Sequence, residues 1–150
     1  MLHQKLADDL KNAMKSGGSF QVGVLRMLLS AIHNKEIEKK GKGQEPVLSD
    51  DEIADVLFKE SKKRKEATEI YSKAGRADLS EKEIKELEII KKYLPEQLGE
   101  EEIEKAVKAA IEKVGAKDIK DFGKVMAEAM KELKGRADAS SVSEMVKKNL

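Results

Sequence analysis

Apolar residues return every three or four positions along almost the whole chain, in runs that glycine or proline ends. Leu2, Leu6, Leu10, Ala13 and Met14 form one such stripe before Ser16-Gly17-Gly18-Ser19. This spacing selects helices, since strands need alternation with period two. Aromatic residues are only 3% of the chain, so the core is aliphatic; Leu, Ile, Val, Ala and Met mixed with Lys and Glu favour helix over strand.

The expected fold is all-α. A second helix runs from about Phe20 to Lys39. It is apolar over most of its circumference, which predicts the central, most buried element. Ser49-Asp50-Asp51-Glu52 is a capping box that starts a third helix, with Gly75 as its stop. Asp78 with Glu81, and Ser80 with Glu83, read as overlapping caps for a fourth, which Pro95 ends. Tyr93-Leu94-Pro95-Glu96-Gln97-Leu98 marks a boundary between an N-terminal helical domain, residues 1–95, and a small C-terminal three-helix domain, residues 96–150. In the latter, Leu98 and Ile103 flank Gly99 as a hydrophobic staple, Asp118 caps a segment running to Lys134, and Asp138 caps a terminal helix.

Composition excludes several functions. The net charge of +1 rules out a wholly basic nucleic-acid binder, so an anion-binding surface must be a local patch. The chain has no cysteine, hence no thiol catalysis, disulfide or thiolate metal site. His3 and His33 lie outside any zinc-binding spacing, and no phosphate loop, nucleophile elbow or Ser-His-Asp order occurs. No catalytic residue, cofactor or metal is expected. The N-terminus MLHQKLADDL lacks the apolar run of an export signal, and no window is apolar enough to cross a membrane; the expected location is cytoplasmic.

Four polar constellations remain. Counting about 100° per residue, Lys120, Lys124, Lys131 and Lys134 share one edge of the sixth helical segment, opposite Phe122, Val125, Met126, Ala129 and Leu133. They extend over roughly 21 Å, enough to meet several phosphates. The alternative is a solvated face with acid–base pairs along its flank. Lys134-Gly135-Arg136-Ala137-Asp138 places Arg136 beside that edge, where any phosphate contact must come from side chains. In the third helix, Glu60 and Arg64 fall on the apolar side and Lys63 beside them. This is either a second polar surface or an internal ion pair. Arg26, Ser30 and His33 line one stripe of the second helix, a weak anion site. Gly123, inside a helix, suggests a close helix crossing.

Several segments together resemble the YqeY family. They are Leu25 to Ile32 with Asn34-Lys35-Glu36-Ile37, Lys63-Arg64-Lys65-Glu66-Ala67, Ala74-Gly75-Arg76-Ala77-Asp78-Leu79, Tyr93 to Leu98, Phe122-Gly123-Lys124-Val125-Met126, Lys134 to Asp138 and Val146-Lys147. The resemblance covers essentially the whole chain, with departures at Ser16 to Gly23 and at Ala139. It implies a C-terminal domain similar to the tail of the B subunit (GatB) of the tRNA-dependent amidotransferase. The matching positions are Gly123, Val125, Met126 and Lys134 through Asp138. It further implies tRNA as a partner; the near-neutral charge and two differently built halves leave, as the alternative, an adaptor role beside an amidotransferase or aminoacyl-tRNA synthetase. A family label of carbon–nitrogen ligase with glutamine as amido-N-donor would follow the same likeness, although 150 residues hold no counterpart of the transamidating domain.

Overall fold

A computed structural model describes residues 1–150. It contains seven α-helices and no strand: α1 (Leu2–Ser16), α2 (Ser19–Gly41), α3 (Asp50–Lys73), α4 (Ala77–Lys91), α5 (Glu100–Val114), α6 (Phe122–Leu133) and α7 (Ala139–Asn149), with a 3-10 turn at Ile119–Asp121 before α6. The chain divides into two compact units, Met1–Leu94 and Pro95–Leu150. No helix is long and apolar enough to cross a membrane.

In the first unit, α1 packs on α2 and α3 on α4, as two helical hairpins that share one core. Gly17 closes α1 with φ +76°, a left-handed conformation that a side chain would disfavour. Ser49 starts α3 through the full capping box: its Oγ accepts from the Glu52 amide at 3.2 Å, and Glu52 Oε2 accepts from the Ser49 amide at 2.8 Å. Lys39 of α2 bonds the same Glu52 carboxylate at 2.9 Å, so the cap also joins two helices. The Ser49 amide, followed by Lys39, holds the Glu52 carboxyl below its ordinary range. Leu6, Leu25, Leu28, Ile32, Ile53, Leu57 and Ile90 are fully buried. Each such side chain contributes about 1.5–3 kcal/mol by leaving water. Tyr93 closes the core's edge; its hydroxyl donates to Asp9 at 2.6 Å while Lys5 lies over its ring.

Three expectations need correction here. Helix α2 is not enclosed. Val24, Leu25, Leu28 and Ile32 are buried, but Phe20, Met27 and Ile37 remain 41%, 45% and 55% exposed. With three partner helices, its apolar circumference exceeds what the neighbours cover. Helix α4 begins at Ala77, and neither Asp78 nor Ser80 is its N-cap. Ser80 is instead buried between the helices, its Oγ 3.0 Å from Ser72 Oγ. Gly123 stands at no helix crossing, because a Cβ built there would meet nothing within 4 Å.

In the second unit, α5, α6 and α7 bury Ile103, Val107, Val125, Ala129, Leu133, Val142 and Val146 against one another. Gly99 is the N-cap of α5, and its amide donates to Glu102 at 3.3 Å. Leu98 packs on the same core, as a staple does. The Leu98 amide donates to the Arg136 carbonyl at 2.9 Å, and Gln97 Nε2 donates to the Gly135 carbonyl at 2.9 Å. The segment leading into α5 is thereby clasped to the α6–α7 turn.

Candidate functional site

The basic edge of the C-terminal unit is built on three local structures. Asp118 Oδ1 accepts from the Lys120 amide at 2.8 Å, which starts the 3-10 turn. Asp121 Oδ2 accepts from the Lys117 amide at 3.0 Å, and that bond holds the Asp121 carboxyl below its usual range. Helix α6 then carries Lys124 and Lys131. Seven residues apart, they share a face opposite buried Val125, Ala129 and Leu133 and stand about 10.5 Å apart along the axis. The outer two lysines leave the helical count. Lys120 lies in the 3-10 turn, where each residue advances about 120°. Lys134 is the C-cap with ψ +125°, so the chain has already departed from the helix. All four lysines are exposed; Arg136, in the following turn, is half-buried.

Electrostatics on this edge are mixed. Glu128 binds both Lys113 of α5 and Lys131, the latter at 2.9 Å. The Lys113 ammonium, then Lys131, lowers the Glu128 carboxyl pKa, while Glu128 raises that of Lys113. One acid in the edge is thus neutralised by two cations. Residues 95–150 hold eleven Lys and Arg against twelve Asp and Glu, so attraction of a polyanion depends on the local edge and not on the unit's total charge.

In the N-terminal unit the sequence-predicted Glu60, Lys63 and Arg64 separate. Lys63 is exposed and bonds Glu60 at 3.0 Å. Arg64 is 5% exposed and sits between two carboxylates: Nη1 to Glu60 Oε2 at 2.6 Å and Nε to Glu86 Oε2 at 3.2 Å. Nη1 also donates to the Glu60 carbonyl at 3.0 Å. Burial opposes ionisation of Glu60, yet the bonds from Arg64 and Lys63 prevail and hold its carboxyl below the ordinary value. Beyond this triad, α3 and α4 meet through hydroxyls: Ser80 reaches Ser72 at 3.0 Å and the Thr68 carbonyl at 3.5 Å, and Thr68 donates to the Arg64 carbonyl at 2.7 Å. No buried side-chain nitrogen or oxygen lacks a partner. Sequence reasoning missed Glu86. The signal was its spacing, because Glu86, Ile90 and Tyr93 follow the same four-then-three pattern and all three are buried.

Arg26, Ser30 and His33 line an open groove between α1 and α2, together with Leu10, Leu29 and Asn34. His33 Nδ1 lies 3.4 Å from Glu36 Oε2. No three His, Cys, Asp or Glu side chains gather in a way that could hold a metal ion.

Comparison with known proteins adds the family. The model of a family described as Yqey-like protein matches residues 3–150. Altered inheritance of mitochondria protein 41, mitochondrial, of Pyrenophora tritici-repentis is 33% identical over 95% of this chain and 77% of its own length. An uncharacterized protein of Schizosaccharomyces pombe is 38% identical over 64% of this chain and 71% of its own. The protein 41 of Lachancea thermotolerans is 40% identical over 59% of this chain and 46% of its own. The names correct one expectation: relatives called mitochondrial overturn the cytoplasmic reading. That reading rested on a missing export run, which marks secretion and does not discriminate among the compartments reached otherwise.

Proposed function

The chain belongs to the YqeY-like family, and we propose that it is a non-catalytic, RNA-binding accessory of translation whose C-terminal unit contacts the tRNA backbone. The observation that carries this reading is the exposure of Lys120, Lys124, Lys131 and Lys134 along α6 and its two ends, with Arg136 beside them. Ammonium groups at such spacing suit phosphates, which fix position without reading sequence. Base stacking adds little. The chain has two tyrosines and no tryptophan, and Tyr93 is buried and bonded to Asp9.

The test is tRNA affinity against salt. Five phosphate contacts give a slope of log K against log[salt] of about −3.5 to −4.5. Each lysine changed to Glu should weaken binding and reduce that slope by about one. A flat salt response, or unchanged affinity after reversing Lys120, Lys124, Lys131 and Lys134 together, refutes the proposal. With glutamine, ATP and misacylated tRNA, the purified chain should form no amidated product; turnover would favour the carbon–nitrogen ligase reading.

One observation favours a second reading, a protein adaptor for an amidotransferase or aminoacyl-tRNA synthetase: the balanced charge of residues 95–150. Retention of such a partner after RNase treatment would support the adaptor; loss on RNA digestion would support the tRNA reading.

A further inference from the structure

We propose that the groove between α1 and α2 docks an acidic amphipathic helix of a partner protein. Its floor is apolar, formed by partly buried Leu10 and Leu29, and it has room, about 490 Å³, for inserted side chains. Its polar lining is Arg26, Ser30, His33 and Asn34, without a single carboxylate. In a chain with 29 Asp and Glu, a lining that contains only a cation, a histidine, a hydroxyl and an amide stands apart.

The neighbouring cations lack counter-charges. Lys11 follows Leu10, Lys15 stands one turn further along α1, and Arg26 faces the groove; all three are exposed, and none forms an ion pair. Some other lysines of this unit do carry partners, among them Lys35 and Lys42 with Glu38, Lys39 with Glu52, and Lys63 with Glu60. Met14, one helical turn beyond Leu10, is 54% exposed and lengthens the apolar strip. Apolar anchors at helical spacing with carboxylates on their flanks are what such a surface complements. This inference is independent of the RNA reading, which concerns the other unit.

The experiment titrates the isotope-labelled full chain with two synthetic helices by NMR. Both carry leucines at i, i+3, i+4 and i+7; one has glutamates on the flanking positions and its twin has lysines there. The acidic helix should shift the amides around Leu10, Leu29, Ser30 and His33 and bind at least about tenfold tighter than the twin. R26E is exposed and should keep the melting curve while weakening the acidic helix about tenfold or more. K124E/K131E should bind it as the parent chain does. Equal affinity for both helices, or shifts confined to other surfaces, would overturn the proposal. So would self-association abolished by R26E, which assigns the groove to a second copy. Binding to phosphatidylglycerol vesicles with none to the acidic helix would assign it to a membrane.

Discussion

Replacing Arg64 by leucine is the sharpest test of how the α3–α4 hairpin is held. Arg64 is 5% exposed and Glu86 9%, and the guanidinium donates to the Glu86 carboxylate at 3.2 Å. Arg64→Leu leaves Glu86 buried with no counter-charge and leaves Glu60 with Lys63 alone. Breaking a buried pair from one side costs about 3–5 kcal/mol. Glu86→Leu is milder, because Arg64 keeps Glu60 at 2.6 Å. Losing one hydrogen bond to a charged group then sets a cost of about 1.5–3 kcal/mol. The double change Arg64→Leu with Glu86→Leu removes the stranded carboxylate and should cost less than Arg64→Leu alone. Urea unfolding followed by circular dichroism measures all three. In melting terms the scale is about 4–8 °C per kcal/mol for a cooperative unit of this size. If Arg64→Leu costs under about 1 kcal/mol, or the single effects add with no coupling, the triad does not hold the hairpin as argued.

Other outcomes follow from the same structure. Glu38 is held at about 2 by hydrogen bonds from Lys42 and Lys35, and Glu52, Glu60, Asp78, Asp121 and Glu128 are also lowered. Depressed carboxyl values stabilise the fold fully above the unfolded value and are lost as pH falls through the folded one. Melting temperature should therefore hold above about pH 5 and fall from about pH 4.5 towards 2; a main loss between pH 5 and 7 would contradict this. Ser49→Ala removes one half of the α3 capping box and should cost about 1 kcal/mol by urea titration. Glycine substitutions should split by conformation. Gly23→Ala, in mid-helix with nothing within 4 Å, should stabilise by about 0.5–1 kcal/mol, whereas Gly75→Ala, at φ +72°, should destabilise by about 1 kcal/mol. Equal effects at the two positions would refute the backbone argument.

Much of the fold was legible because it is local. The Ser49 box, the glycine that ends α1, the staple before α5 and the inward stripes of α1 and α6 all depend on residues within about a turn or two of each other. What escaped was set by neighbours in space. Rotation put Glu60 and Arg64 on the inward side of α3, but it could not supply Glu86, which belongs to another helix. Ser80 carried the letters of a cap and serves as a helix–helix contact, because α4 had already begun at Ala77. The lysine edge was drawn with one angular step throughout; the turn at Ile119–Asp121 and the departure at Lys134 keep only Lys124 and Lys131 on that count. The all-round apolarity of α2 suggested enclosure, yet a circumference says nothing about how many neighbours arrive to cover it.

The guanidinium held between two carboxylates also limits how α3 and α4 can slide past each other. Leucine and isoleucine contacts tolerate a shift of one helical turn, since one aliphatic surface resembles the next. Arg64 does not, because a turn of displacement, about 5.4 Å, would carry Glu86 beyond its reach and leave that buried carboxylate without a counter-charge. The triad therefore acts as an alignment key that favours this setting of the hairpin over a slipped one, and with it this placement of the tip at Gly75 and Arg76.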